Sequence, residues 1–88
     1  MNAINRDSRA YWNKRAATFT RFATGEYEHW LMDLLALNPG EELLDMGCAT
    51  GTLAVPLARA GHRVHGCDFA EAMLAILDKR TAAENLPI

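Results

Sequence analysis

The spacing of apolar residues predicts two amphipathic helices in the first 40 residues, because these residues recur every three or four positions. The side chain of Asp7 or Ser8 can cap the first helix, and Gly25 ends it. The buried face of this helix is expected to carry Trp12, Ala16, Phe19 and Phe22 or Ala23. The second helix spans 26–37 and stops before Pro39. Its inward face is expected to carry Tyr27, Trp30, Leu31, Leu34 and Leu35.

After residue 41 the pattern changes, and short apolar runs alternate with helical segments. Residues 42–46 and 63–68 predict two short strands, of which the first is buried. Residues 52–60 predict a connecting helix that stops at Gly61. Residues 70–84 predict a last helix, with inward positions at Met73, Ile76, Leu77 and Ala83. Two strands joined by a helix form a right-handed parallel crossover, so the expected fold class is α/β in the order ααβαβα.

A sheet of two parallel strands leaves both of its edges unpaired. Parallel sheets normally contain more strands and have helices on both faces. The sequence therefore predicts the N-terminal part of a larger α/β fold, with an incomplete sheet. In this interpretation residues 1–40 are an N-terminal helical cap and residues 41–88 are the first βαβα unit. Open strand edges also allow a homo-oligomer, or a non-catalytic module that assembles through these edges.

Charge and apolar run length restrict the partners that we expect. The chain has 9 basic and 11 acidic residues, and the basic residues are scattered rather than gathered in the stripe that binds nucleic acid. No apolar run reaches the roughly 18 residues that a membrane-spanning helix needs. We therefore expect a cytoplasmic protein with neither nucleic acid nor membrane as a partner. Cys48 and Cys67 are expected to be free thiols in that compartment.

The turn after the first strand carries the candidate chemistry. Glycine permits positive φ and a close approach of ligand to backbone, and a strand that ends at a helix start is a common small-molecule site. A dinucleotide fingerprint would need glycine at Gly47, Ala49 and Thr52, and only the first is present. No lysine follows Gly51, which excludes a phosphate loop. The pattern left is GxGxG opened by Asp45, with an alanine that is expected to be tolerated at negative φ.

Several motifs occur together: Asp45-x-Gly47-x-Ala49-x-Gly51, Gly61-His62-x-Val64-x-Gly66-x-Asp68, Met73-Leu74, and the earlier Tyr11-Trp12-Asn13 with Arg15-Ala16. Together they resemble the cofactor half of class I S-adenosylmethionine-dependent methyltransferases, in particular the small-molecule members. The resemblance runs from about residue 11 to residue 87. It implies the N-terminal part of a Rossmann-like methyltransferase fold, S-adenosylmethionine as the cofactor and a small-molecule methyl acceptor.

The resemblance also implies roles for individual residues. The cofactor-binding residues are expected to be Asp45, Gly47, Cys48, Ala49, Gly51, Asp68, Phe69 and Met73. The glycine loop would contact the methionine and sugar, Asp45 the amino end, and Asp68 both ribose hydroxyls. Phe69 and Met73 would bound the adenine or ribose. The family uses its N-terminal helix as a lid, which makes Tyr11 and Arg15 candidates for contact. No catalytic residue can be named, and we expect negligible turnover from these 88 residues alone.

Structural explanations for the same residues stay open at this stage. Asp68 and Glu71 have the spacing of a capping box, and Asp45 can be a satisfied loop carboxylate. Cys48 is better explained as a small buried apolar residue than as a nucleophile. No metal site is expected, because a fourth ligand is missing beside His62, His65 and Cys67. A nicotinamide-dependent oxidoreductase is the alternative enzyme, and Thr52 counts against it.

Overall fold

The computed structural model describes residues 1–22 and 28–88. Its elements in chain order are α1 (Ala3–Phe22), α2 (Glu28–Leu35), β1 (Glu42–Met46), α3 (Ala54–Arg59), β2 (Arg63–Cys67) and α4 (Glu71–Glu84). This order confirms the predicted α/β class and the ααβαβα arrangement. The predicted positions Ala23, Gly25 and Tyr27 lie outside the described residues, as does the side chain of Phe22.

The two strands pair in parallel, and α3 forms the crossover between them. Asp45 lies opposite Gly66 in the register. The pairing continues past the strand ends, because the backbone N–H groups of Gly47 and Cys48 both donate to the carbonyl of Cys67, at 2.8 and 2.9 Å. The residues that follow β1 and β2 therefore meet at the carboxyl edge of the sheet.

The first helix begins earlier than the sequence predicted. Asn2 is its cap, because its Oδ1 accepts the backbone N–H of Asn5 at 2.8 Å. The prediction that Asp7 or Ser8 caps α1 is therefore wrong. Asn2 caps the helix earlier in the chain, and the residues between Asn2 and Asp7 tolerate a helical conformation. Ala16 is buried as predicted, but Trp12 is 39% exposed.

The second helix does not bury the face that its pattern predicted. Trp30 is 65% exposed and Leu34 is 66% exposed, while Leu31 is half-buried. The helix ends at Leu35 because Ala36 adopts a left-handed conformation, with φ at +47°. The main contact of α2 is with α3, which covers too little of the apolar stripe to bury it.

Three small apolar clusters form the core, and each one joins helices to the sheet or to the loop after β1. Their buried members are Ala54, Leu57, Ala58 and Val64 in the first cluster, Cys48, Val55 and Leu77 in the second, and Ala16, Ala70 and Met73 in the third. Met73 and Leu77 confirm the predicted inward face of α4, but Ala83 is exposed and Thr81 is buried instead. Thr81 continues the four-residue spacing of that face, whereas Ala83 is rotated away from it.

The helices cover only one face of the sheet in the part of the chain that the structure describes. Leu43 and Val64 face the core, whereas Leu44 is 63% exposed and Met46 is 77% exposed. The prediction that β1 is buried is therefore wrong for three of its five side chains, because alternate residues of a strand point to opposite faces. Of the helices in residues 1–22 and 28–88, none combines the length and apolarity that crossing a membrane requires.

Candidate functional site

The loop between β1 and α3 has three residues in the left-handed region. Gly47 has a φ of +75°, Ala49 of +52° and Gly51 of +87°. The negative φ at which alanine was expected to be tolerated is not observed, since Ala49 adopts the conformation that the glycine of a GxGxG loop would adopt freely. For a residue with a Cβ, that conformation costs about 1–2 kcal/mol.

The inner side of the loop is closely packed, and glycine is needed for that packing at Gly51 in the loop and at Gly66 in β2. A Cβ on Gly51 would lie 2.9 Å from Cγ2 of Val55 and would also collide with Leu77. A Cβ on Gly66 would lie 2.9 Å from the sulfur of Cys48. By contrast, a Cβ on Gly47 would meet nothing within 4 Å. The inner side of the loop is therefore packed, and the side at Gly47 is open.

Asp68 joins the loop to the start of α4. Its Oδ2 accepts the backbone N–H of Ala49 and its Oδ1 accepts the backbone N–H of Ala70, both at 2.9 Å. Ala70 is the N-cap residue of α4 and has no side-chain cap, so the capping-box alternative for Asp68 and Glu71 is wrong. A carboxylate oxygen has two lone pairs, and each oxygen of Asp68 therefore keeps one for a ligand.

Two carboxylates lie at the carboxyl edge of the sheet, and the charge of Asp68 acts on Asp45. Burial raises the pKa of Asp45 above its ordinary value, and the negative charge of Asp68 raises it further. Asp45 is half-buried at the end of β1. Two acidic groups this close make the edge of the sheet electronegative, which favours a ligand that carries positive charge.

A cavity of about 300 Å³ opens beside these groups. It is lined by Trp12, Phe19, Gly47, Ala49, Asp68, Phe69 and Met73. The structure thus brings five of the eight predicted cofactor-binding residues together. The other three do not line this cavity. Asp45 is half-buried at the end of β1, and Cys48 and Gly51 are buried within the loop.

Helix α1 supplies two walls of the cavity, Trp12 and Phe19. Both residues were predicted to lie in the core. The rings of Trp12 and Phe19 meet edge to face, with their centroids 6.1 Å apart. The candidates Tyr11 and Arg15 do not line the cavity; the guanidinium carbon of Arg15 lies 3.5 Å from the centroid of the Tyr11 ring. A spacing of seven residues places Trp12 and Phe19 on one helix face, but it does not tell a cavity wall from a core contact.

The thiol of Cys48 is a buried apolar group rather than a nucleophile. Burial raises its pKa to about 11, and the charges of Asp45 and Asp68 contribute to that shift. A thiol with this pKa is protonated at neutral pH and therefore unreactive. Among the residues that the structure describes, no three or more His, Cys, Asp or Glu side chains are grouped to hold a metal.

Backbone N–H groups of the loop are used within the protein. Besides those of Gly47 and Cys48, which donate to the carbonyl of Cys67, the N–H of Gly51 donates to the carbonyl of Cys48 at 3.0 Å and that of Ala49 donates to Asp68. None of the described cavity-lining residues is basic. The site is therefore suited to hydroxyl donors and apolar surface rather than to phosphate.

Comparisons with known proteins place residues 43–88, just over half of the chain, within the model of a family described as "Methyltransferase domain". The chain is 36% identical over 78 residues to the malonyl-[acyl-carrier protein] O-methyltransferase of Serratia marcescens, covering 89% of this chain and 29% of that protein. It is 36% identical over 55 residues to the glycine N-methyltransferase of Homo sapiens, covering 62% of this chain and 19% of that protein.

A third relative is a 23S rRNA uracil methyltransferase of Alkalilimnicola ehrlichii, which is 44% identical over 43 residues. That match covers 49% of this chain and 10% of the relative. The chain therefore spans less than a third of the length of each of these three relatives.

Proposed function

The chain belongs to the methyltransferase-domain family, and from this premise we propose that it forms the S-adenosylmethionine-binding part of a methyltransferase that acts on a small molecule. The observation that carries this proposal is the position of Asp68. Its half-buried carboxylate lies at the cavity, beside the glycine loop and among apolar walls.

The cavity suits the nucleoside part of the cofactor, which carries a ribose diol. Asp68 has a free lone pair on each oxygen, and two hydroxyl donors match two acceptors on one carboxylate. Trp12, Phe19, Phe69 and Met73 supply apolar surface on either side. A volume of about 300 Å³ is at the lower end of the range that small-molecule sites occupy.

The remaining predicted residues contribute by charge and by support. Asp45 would attract the amino end of the cofactor, because its carboxylate lies at the electronegative edge of the sheet. Cys48 and Gly51 would support the loop backbone on the side away from the cavity, since both are buried against the helices. When bound, the cofactor supplies an electrophilic methyl group, and the residues described here orient it.

The oxidoreductase alternative is less well supported by the same geometry. A dinucleotide carries a pyrophosphate, which needs free backbone N–H groups or basic side chains. In this loop the N–H of Ala49 is bonded to a carboxylate, and Asp68 itself would repel a phosphate. The structure therefore supports S-adenosylmethionine over a nicotinamide dinucleotide as the proposed ligand.

The acceptor, the domain division and the location are further parts of the proposal. The N-terminal segment that resembles small-molecule methyltransferases supports a small acceptor. We propose residues 1–40 as a helical cap on the first βαβα unit of 41–88, and a cytoplasmic location for the protein. Turnover by these 88 residues alone is expected to be negligible, because a second surface must position the acceptor.

Isothermal titration with S-adenosylhomocysteine and, separately, with a nicotinamide dinucleotide tests the proposed cofactor. The chain is expected to bind the first and not the second. Asp68→Ala should weaken binding by about 1.5–3 kcal/mol, the amount typical of lost charged hydrogen bonds. Asp78→Ala, on the exposed surface of α4, is the matched control and should leave the affinity unchanged. Preference for the dinucleotide would contradict the proposal.

A further inference from the structure

The start of α4 is capped by a residue of α1. Oδ1 of Asn13 accepts the backbone N–H of Ala72 at 2.9 Å, and Nδ2 of Asn13 donates to Oε2 of Glu71 at 3.2 Å. Ala72 is in the first turn of α4, where backbone N–H groups lack an acceptor inside the helix. Its own N-cap, Ala70, has no side-chain acceptor to offer. One amide side chain therefore satisfies one N–H of this turn and joins two elements that are far apart in sequence.

The residues on both sides of this contact are walls of the cavity. On α1, Trp12 precedes Asn13 and Phe19 lies on the following turns. On the other side, Phe69 and Met73 flank the bonded residues of α4. The two hydrogen bonds of Asn13 thus join the segment that carries the aromatic wall of α1 to the wall at the start of α4, beside the apolar contact of Ala16 with Ala70 and Met73.

Arg9 adds a weaker contact to the same carboxylate. Its guanidinium lies 2.7 Å from Oε2 of Glu71, and both side chains are exposed. Ion pairs in this environment contribute little, because water screens them. The pKa of Glu71 is lowered first by a hydrogen bond from its own backbone N–H, and then by Arg9 and Asn13. Asn13 is half-buried and bonded to backbone, which makes it the stronger anchor.

We propose that Asn13 is a positioning residue that holds α1 against the start of α4, so that Trp12 and Phe19 close the cofactor cavity. This inference rests on the proposed function, because it names the device that sets the shape of the proposed binding site. Asn13 itself does not line the cavity and acts through the position of α1.

Trp12 can report the position of α1 directly. The chain has two tryptophans, and Trp30→Phe removes the other one at an exposed site. In that background, acrylamide quenching of fluorescence measures the exposure of Trp12 with and without S-adenosylhomocysteine. We expect Asn13→Ala to increase quenching of the free chain and to weaken S-adenosylhomocysteine binding by roughly threefold to tenfold, through faster dissociation. Lys14→Ala, at the next and exposed position, should change neither quantity.

Substitutions that change the charges at residues 13 and 71 distinguish a positioning role of Asn13 from a general loss of folding. N13D keeps an acceptor for the N–H of Ala72 but places a second carboxylate beside Glu71, so both the affinity and the protection of Trp12 should fall. Combining N13D with E71Q restores a donor and an acceptor between the two positions and should recover both readouts. Arg9→Ala should have a smaller effect than Asn13→Ala, because its ion pair is exposed.

Two results would overturn the inference. One is unchanged Trp12 quenching in Asn13→Ala, and the other is no recovery in the double variant while its circular dichroism spectrum matches that of the unsubstituted chain. Failure of the unsubstituted chain to bind S-adenosylhomocysteine contradicts the proposed function instead. In that case the quenching of the free chain still decides whether Asn13 positions α1.

Discussion

Ala49 adopts a strained backbone conformation at the edge of the cavity. Its φ of +52° brings its N–H to the carboxylate of Asp68, which explains why the strain persists. Strain of this kind costs about 1–3 kcal/mol and is found where the surrounding structure fixes the backbone. The loop therefore gains its contact with Asp68 at the expense of conformational free energy.

Ala49→Gly is expected to raise the free energy of unfolding by about 0.5–1 kcal/mol, because relief of strain exceeds the loss of one partly buried methyl group. Urea denaturation measures the change. The same substitution at Ala75, an exposed position within α4, should lower stability by about 1 kcal/mol. Loss of stability in Ala49→Gly would show that the methyl contact outweighs the strain.

The pKa of Asp45 predicts a pH-dependent effect on stability. Because burial and Asp68 raise the pKa of Asp45 in the folded state, ionisation of Asp45 costs stability at neutral pH. This cost begins to fall as the pH drops through the folded-state pKa, and it is gone below the ordinary pKa of the carboxyl, where Asp45 is protonated in both states. Asp45→Asn should therefore stabilise the chain at neutral pH, and the gain should shrink towards acidic pH.

Urea denaturation across this pH range measures the effect, with Asp78→Asn on the exposed surface of α4 as the control. The same Asp45→Asn variant should bind S-adenosylhomocysteine more weakly, because Asp45 is proposed to attract the amino end of the ligand. A variant that is less stable at neutral pH would contradict the assigned cause of the pKa shift.

The sequence predicted which residues meet at the carboxyl edge of the sheet, but it did not predict their backbone conformation. Parallel pairing alone requires the residues after β1 and β2 to lie at one edge, which placed Asp68 beside the loop. The sign of φ at Ala49 follows from the hydrogen bond to Asp68, a contact between residues 19 positions apart. The local sequence therefore does not indicate the positive φ of Ala49.

Close packing between elements is concentrated at Gly51. The helices α3 and α4 both touch the loop backbone there, through Val55 and Leu77. The contact of α1 with α4, through Asn13, is the other junction that shapes the cavity. Both junctions join segments that are distant in the chain.

Gly51→Ala should lower the free energy of unfolding by about 2–4 kcal/mol, because backbone strain adds to overpacking against two helices. Gly47→Ala is the matched comparison, since its φ is also positive but a Cβ there meets nothing within 4 Å. We expect about 1–2 kcal/mol for this second variant. Thermal or urea denaturation of both variants measures the difference, and equal losses would exclude packing as the cause.

The elements themselves were predictable to different degrees. The limits of the two strands and of α4 were predicted to within about one residue. The apolar periodicity and the glycine or asparagine residues that end each element indicate the same limits there. Helix α1 was assigned too late a start, because several residues near its beginning can cap. The role of Trp12 could not be predicted, since an apolar face packs against either protein or ligand.

The molecule as a whole has one covered and one uncovered face of its sheet. Leu44 and Met46 are exposed on the open face, opposite His65 and Cys67 in the register. Exposed apolar patches and unpaired strand edges both favour association. The homo-oligomer is therefore a proposal, and it can be tested on the chain itself.

Sedimentation at increasing concentration is expected to show self-association of the chain through its exposed strand edges, with this apolar face beside them. Leu44→Lys should shift the equilibrium towards monomer, because a charge at the centre of the patch resists burial. Ala75→Lys, on the exposed surface of α4, is the control and should have no effect. A chain that stays monomeric at high concentration would contradict the prediction.

The most direct test of the proposed cofactor site is an NMR titration of backbone amides with S-adenosylhomocysteine. The amides of Ala49 and Ala70 both donate to the carboxylate of Asp68, so binding of the ribose by Asp68 should shift these two signals together with that of Gly47. A nicotinamide dinucleotide should leave them in place. Shifts confined to the opposite end of the sheet, near His62, or equal shifts with the dinucleotide would contradict the proposed site.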